Sequence, residues 1–380
     1  MKAELLLYKN AAFVRNAKSH TITSDKVSLV LGFGEKNLLI NDNLYSQLKD
    51  RYPNAQIVIC STSGEIYDEQ VYDNTVVVTA IEFEKTPLKT ASVNIADYQN
   101  SSDAGAALMS MLLADDLAYA MIISDGTSVN GSELVKGIES VNVNRVPVTG
   151  GLAGDAANFD YTLVGLNEAP QRGKVIAVGF YGSNIQIGHG SMGGWDIFGL
   201  ERTVTKSISN KLFEIDHKNA LELYKLYLGS YIEQLPGSAL LFPLSVKIKD
   251  SDEPIVRTII SIDNEEQSMT FAGDVPEGSN VRFMKANFDK LIDAANQAAA
   301  KTFFNKMPKT PTLALLISCV GRKVILENRT YEEVEAIQDV FGKETLHAGF
   351  YSYGEISPLA ENSKCQLLNQ TMTITTFNEL

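Results

Sequence analysis

The tripeptide Gly-Glu-Ile occurs twice, at Gly64-Glu65-Ile66 and at Gly354-Glu355-Ile356, and its surroundings repeat with it. Each copy is preceded by an apolar strand, a glycine-containing loop, a helix and a second apolar strand, and each is followed by a β-rich run. For the first copy these elements are residues 27–34, 41–51, 57–60 and 75–83; for the second they are 313–318, 331–341, 347–351 and 366–377. The order constrains the chain to an α/β fold: mixed sheets with flanking helices, in two related, internally duplicated halves that face a shared cleft. Two further stretches carry a glycine and then an acid at a strand end, Leu152-Ala153-Gly154-Asp155 and Phe271-Ala272-Gly273-Asp274, making two per half. A recurring turn explains the second, because glycine tolerates positive φ and the acid satisfies loop amides. For Gly64-Glu65 and Gly354-Glu355 that reading stands beside another, in which strand-end loops converge on a binding cleft.

Between the two copies, strand signals at 88–95, 119–124, 146–149, 161–165, 174–181 and 184–188 alternate with helical periodicity at 103–117 and 131–138. A glycine-rich bend, Gly188-His189-Gly190-Ser191-Met192-Gly193-Gly194-Trp195, follows, and the domain boundary is placed after it, giving domains 1–200 and 201–380. The second domain adds strands at 203–208, 255–262 and 268–271 and helices at 220–228 and 287–303.

Charge narrows the function. The 380 residues carry a formal net charge of −13, and no basic cluster interleaves with aromatics, which argues against nucleic acid and against an anionic membrane surface. No apolar stretch approaches a membrane span, and the run 5–7 is too short for a signal peptide. Cys60, Cys319 and Cys365 form no CxxC pair or disulfide framework, so a reducing, cytoplasmic setting is expected.

Several chemistries lack their sequence signatures. Gly32-Phe33-Gly34 has no third glycine for a dinucleotide, and no lysine follows a glycine loop as phosphate binding requires. Ser61 and Ser63 flank a strand-end turn that is not a nucleophile elbow. An enzyme using Cys60 or Ser61 in the cleft is the alternative to a binding protein, with His20, His189, His217 or His347 as base. Cysteine and histidine are not arrayed for zinc. Glu65 and Glu355 could hold a ligand ammonium and Arg322 a carboxylate through its planar fork; alternatively Arg322 and Glu355 pair with each other.

The motifs also resemble a known family. Cys60-Ser61-Thr62-Ser63-Gly64-Glu65-Ile66 is similar to the first signature of the FIST sensory domain, and Gly150-Gly151-Leu152-Ala153-Gly154-Asp155 to its second. Gly193-Gly194-Trp195, Gly199, Val204-Thr205, Asn210 and Asp216 resemble the junction of the FIST N and C portions. Cys319-Val320-Gly321-Arg322, Tyr353-Gly354-Glu355-Ile356 and Asn369-Gln370-Thr371 resemble the C portion. His217 stands where that pattern has glycine, and the proline expected after Trp195 is missing.

The resemblance implies a bacterial ligand-binding module that feeds histidine kinases, cyclic-di-nucleotide enzymes or chemotaxis receptors, with amino acids, or haem and nitric oxide, as ligands. Because both halves are taken up by the binding domain, a stand-alone protein with a separate signalling partner is expected. The motif residues from Cys60 to Glu65, with Gly150, Gly151, Gly154, Asp155, Trp195, Cys319, Arg322, Tyr353, Gly354, Glu355 and Asn369, form the expected ligand site. Haem requires an axial ligand, for which His189, beside Trp195, and His347, entering the repeated motif, are the candidates.

Overall fold

The structure is a computed structural model that describes all residues except 236, 250–252, 304–307, 309 and 361. Its framework comes from runs in which nearly every residue is apolar or small. Leu29–Gly34, Val76–Glu82, Leu117–Ser124, Leu313–Cys319 and Leu346–Ser352 are buried along their lengths, so these strands are covered on both faces.

The repeat read from the sequence is present, and it occurs a third time. Each unit has a flanking strand, a first strand, a helical segment, a parallel second strand, an exported strand and a return strand. Unit 1 uses Lys2–Lys9, Leu29–Gly34, the helices Lys36–Asn41 and Leu44–Arg51, Gln56–Ser61, Glu65–Tyr67 and Val76–Glu82. Unit 2 uses Leu88–Asn94, Leu117–Ser124, the helix Gly131–Val141, Val148–Leu152, Val164–Leu166 and Lys174–Tyr181. Unit 3 uses Ile185–Met192, Leu313–Cys319, the helices Val320–Leu326 and Thr330–Phe341, Leu346–Ser352, Gly354–Pro358 and Met372–Glu379. Units 2 and 3 place a further helix before the first strand, Ser101–Ser110 and Phe288–Ala300.

In every unit the first strand lies parallel to the second and antiparallel to the return strand, which pairs in turn with the flanking strand. The exported strand leaves its own unit. That of unit 1 pairs with the second strand of unit 3, that of unit 3 with unit 2, and that of unit 2 with unit 1. The result is three six-stranded sheets closed into a ring.

The inner faces of the sheets share one core. Leu31, Phe33 and Val58 of unit 1 meet Met121, Ile123 and Ile176 of unit 2 and Leu315, Ile317 and Phe350 of unit 3. The rings of Phe33 and Phe350 lie 4.7 Å apart. Helices cover the outer faces through their apolar stripes: Leu39, Leu44 and Leu48 in unit 1, Ala104, Leu108, Leu134 and Ile138 in unit 2, Ala298, Val334 and Ile337 in unit 3.

Between the flanking strand and the long helix of unit 3 stands a separate antiparallel sheet of eight strands, residues 196–285, which carries the helix Ala220–Leu228 on its own core of Val204, Leu212, Tyr224, Phe271 and Phe283. Ala272-Gly273-Asp274 is a turn of this sheet, with Gly273 at φ 138°. Sequence and structure also differ in where several elements begin and end. The apolar start of the chain is the flanking strand Lys2–Lys9. The run 366–377 is two strands, Cys365–Leu368 and Met372–Glu379, because Gln370 at φ 60° breaks the ladder. The helix expected over 103–117 ends at Ser110, and the strand expected at 203–208 begins at Asp196.

His217 has a local reason for standing at a glycine position. Asp216 and His217 sit at φ 51° and 59°, forming a tight turn between Lys211–Ile215 and Lys218–Asn219 that needs left-handed backbone at both residues. Glycine relieves that strain at some cost in unfolded-chain entropy. His217→Gly should therefore raise stability by roughly 0.5–1 kcal/mol, read as a higher urea midpoint at unchanged slope.

Candidate functional site

The second strands of the three units end together, and the loops that follow them interlock. The Gly154 N–H donates to the Ser61 carbonyl (3.0 Å), the Ser63 N–H to that of Tyr351 (2.8 Å), and the Tyr353 N–H to that of Leu152 (3.2 Å). Each bond runs from one unit to the next around the ring. Gly150 and Gly151 pair with Ile356 and Glu355, and Gly354 with Leu152. Gly154 is glycine because a Cβ there would strike the Ser63 side chain and backbone. The loops at residues 61–65, 150–155 and 353–355 are thus joined, and a fourth segment, Cys319-Val320-Gly321-Arg322, lies beside them. The fourth is tied in by Lys323, whose ammonium donates to the Ser63 carbonyl (2.9 Å) and pairs with Asp73.

The two Gly-Glu copies match atom for atom. Glu65 accepts from the hydroxyl of Thr62 (2.6 Å) and from the hydroxyl and N–H of Thr75 (2.8 and 3.2 Å). Glu355 accepts from the hydroxyl of Ser352 (2.6 Å) and from the hydroxyl and N–H of Thr371 (2.9 and 3.2 Å). Thr75 and Thr371 each follow a left-handed residue, Asn74 and Gln370. Each carboxyl therefore fastens the start of its exported strand to the start of its return strand. Burial pushes Glu65 up to about 7 and Glu355 up to about 8, outweighing the donors that pull the other way.

The third copy uses the shorter acid differently. Asp155 accepts from the N–H groups of Phe159, Asp160 and Tyr161, from the Tyr353 hydroxyl, and from Lys36 at 3.0 Å.

Other expected site residues take structural places. Arg322 is fully buried, and its partner is Glu333 (2.8 and 3.1 Å), with the carbonyls of Gly193 and Leu291 (both 2.7 Å) taking two more of its donors. It pairs with neither Glu355 nor any open space. Cys60 and Cys319 are buried, which drives both thiols well above their ordinary range, so neither presents a thiolate. The Ser61 hydroxyl accepts from the Leu163 N–H (2.9 Å). None of these three borders either of the two cavities described here.

The smaller cavity, about 150 Å³, is a polar notch where Thr62, Ser63, Gly64 and Glu65 face Asp155, with Lys36 and Asp73 on its walls. The larger, about 520 Å³, lies elsewhere, in the seam between the three-unit body and the inserted sheet. His189, Ser191 and Met192 of the unit 3 flanking strand form one side, Ile255 and Val256 of the inserted sheet another, and Leu359, Leu368 and Thr371 around the exported hairpin a third. Trp195 and Asn369 sit at the same joint. The indole N–H donates to the Gln370 carbonyl (3.0 Å), and Asn369 accepts from the Thr258 N–H of the inserted sheet (3.4 Å).

The two histidines divide. His347 is sealed beneath the helix Thr330–Phe341, its ring stacked on Phe341 and neither nitrogen hydrogen-bonded, with Asp68 at 4.0 Å. His189 borders the seam cavity, its pKa lowered to about 4 by burial, so the ring is the neutral form that can bind iron, although it is already engaged within the fold. Among the described residues no three or more His, Cys, Asp or Glu side chains gather as a metal site.

Sequence reasoning missed Thr75, Lys36, Lys323, Glu333 and most of the seam. Thr75 was recoverable as the counterpart of Thr371, but it lies ten residues after Glu65 where Thr371 lies sixteen after Glu355, and the unequal spacing hides it.

Three interlocked α/β units, with an inserted sheet that shares the larger cavity, define a two-part α/β body. The FIST N domain profile matches residues 28–218 and the FIST C domain profile residues 220–358. The chain belongs to the FIST family, whose domains are sensory domains of signal-transduction proteins. A search of curated proteins finds no match. Among the described residues no helix is long and apolar enough to cross a membrane.

An acid with a folded pKa above its unfolded value holds its proton more tightly when folded. The contribution of Glu355 to stability is therefore complete below the ordinary value of 4.5 and is lost as pH rises toward about 8. Glutamine keeps the shape, accepting from Thr371 and donating to Ser352, without the buried charge. Glu355→Gln should gain stability relative to wild type as pH rises from 5 to 9, in urea titrations at each pH. Glu355→Ala strands the Thr371 N–H and should lose about 1–3 kcal/mol near pH 5, where wild type carries the neutral acid, with the loss shrinking as pH rises toward 9. If haem is mixed with the protein, His347→Ala should leave the Soret band unmoved, since His347 is fully buried and borders neither the notch nor the seam, whereas His189 lines the seam.

Proposed function

We propose that the protein is a small-molecule sensor whose ligand occupies the seam cavity, and that a separate histidine kinase or cyclic-di-nucleotide enzyme reads the result. One observation carries this reading: a cavity of about 520 Å³, within the range of ligand pockets, is walled on one side by the interlocked body and on the other by the inserted sheet. A ligand there touches both parts at once, so its affinity depends on how they sit against each other, and binding biases that arrangement.

The polar notch fits this role less well. An amino-acid zwitterion would have to part Lys36 from Asp155 and Lys323 from Asp73, each already an ion pair. Glu355 and Arg322, buried with their polar atoms engaged, are supports for the site in this reading rather than ligand contacts. Trp195 and Asn369 act as the joint that passes the change on.

A thermal-shift screen of metabolites, amino acids and haem included, tests the reading, since a ligand bound only to the folded state raises the melting temperature. A hit should slow hydrogen exchange in residues 255–257 and 367–371 together and be returned unchanged after incubation. Protection confined to residues 62–65 and 155–158 would move the site to the notch. Turnover of the hit would make the protein an enzyme.

A further inference from the structure

The lining of the seam cavity is mostly apolar. It includes the apolar residues Met192, Ile255, Val256, Leu359 and Leu368, and the buried polar residues on it are Ser191, Thr371 and His189. Both hydroxyls already have partners, Ser191 with Thr373 at 2.9 Å and Thr371 with Glu355. Among its described lining residues the formal charges are Glu253 and Lys301, one of each sign, and both are exposed side chains at the rim. A ligand carrying a charge inward would leave water without a counter-ion to meet it, at a cost of several kcal/mol. An apolar body would bury its surface at about 25 cal/mol per Å².

Three sheets end at this place, which is why the wall is apolar rather than charged. Ile185–Met192 is the edge strand of the unit 3 sheet, Cys365–Leu368 that of the unit 2 sheet, and Ile255–Arg257 that of the inserted sheet. Side chains that would otherwise pack between continuous layers face one another across a gap.

We infer that the seam takes a neutral, largely apolar small molecule, with no more polarity than a hydroxyl or carbonyl directed at Ser191 and Thr371. The inference rests on the seam being the sensory site and adds the class of ligand.

A matched pair of fluorescent probes tests it. N-phenyl-1-naphthylamine is neutral, and 8-anilino-1-naphthalenesulfonate has the same skeleton with a sulfonate added. The neutral probe should bind saturably, one per chain, and the sulfonate should bind about tenfold or more weakly. Val256→Glu and Leu359→Glu each place a charge on a half-buried wall position and should weaken the neutral probe by about tenfold or more. Val143→Glu, at a residue 81% exposed and outside the cavity, should not. Melting curves confirm that each variant is folded, and two independent wall variants guard against one failing to fold. Equal or tighter binding of the sulfonate, or wild-type binding in both folded wall variants, overturns the inference. Binding of the neutral probe with no change of exchange in residues 255–257 supports the ligand class and counts against the sensory reading, so the two can fail separately.

Discussion

Each unit of this fold gives one short strand away. The second strands Gln56–Ser61, Val148–Leu152 and Leu346–Ser352 would each end their sheet with an unpaired edge, and the strand that covers the edge comes from a neighbour. The exported strands are only three to five residues long. None would hold a sheet together by itself. Their hold comes from closure: three exchanges run in one direction around the ring, so releasing one exposes the edges and inner faces of two units. The shared core of Phe33, Met121, Ile317 and Phe350 cannot be assembled from any single unit. The body is therefore one cooperative structure, and its rigidity follows from topology as much as from packing.

The carboxyl locks sit where that exchange begins. At Glu65 and Glu355 the acid clips the outgoing strand to the returning one through a threonine hydroxyl and N–H. Unit 2 departs from this. Its acid is Asp155, one methylene shorter, and its exported strand starts at Val164 rather than at the acid. The intervening loop wraps Asp155 with its own N–H groups and draws in Lys36 from unit 1. Unit 3 breaks the symmetry in another way, by carrying the inserted sheet between its flanking strand and long helix. Both cavities lie at these departures, the notch beside Asp155 and the seam beside the insertion.

This pattern also explains what could be read from the chain. Gly64-Glu65-Ile66 and Gly354-Glu355-Ile356 are legible as a repeat because in both the acid lies within the first two residues of the exported strand, so strand residues follow it directly. Gly154-Asp155 looks like a turn because a loop follows it, and its membership in the repeat is visible only through the Gly154–Ser61 bond to the next unit. Convergence of the strand-end loops was readable from topology, whereas their tightness was not: Arg322 finds Glu333 eleven residues on, across the end of one helix and the start of another, and a spacing that is not helical gives no sequence signal. The seam draws on residues 189–193, 253–256, 301, 359–360, 368 and 371, whose proximity depends on where three sheet edges fall. His189 was visible for its setting between glycines, which pack its strand against the carbonyls of Ala298 and Thr302 in the long helix segment.

A sensor needs one part that holds still and one that can take two positions. The ring has little freedom to offer, since any shift must be passed through all three exchanges. The inserted sheet has its own core and meets the body through an apolar patch, where Leu241, Val256 and Met284 join Leu291, Ile325 and Leu326, and through polar contacts that include Arg257 on the Leu367 carbonyl at 3.0 Å, Thr258 on Asn369, Gln370 on the Leu240 carbonyl at 3.4 Å and the Asp274 N–H on Ser132 at 3.0 Å. Arg257 is fully buried with carbonyls in place of a carboxylate, so its charge is incompletely compensated, and burial lowers its pKa to about 10. Such a contact is the first that rearrangement would relieve. A molecule that fills the space beside it, touching Ile255 and Val256 on one side and Ser191 and Leu368 on the other, changes the energy of that joint without having to deform the ring.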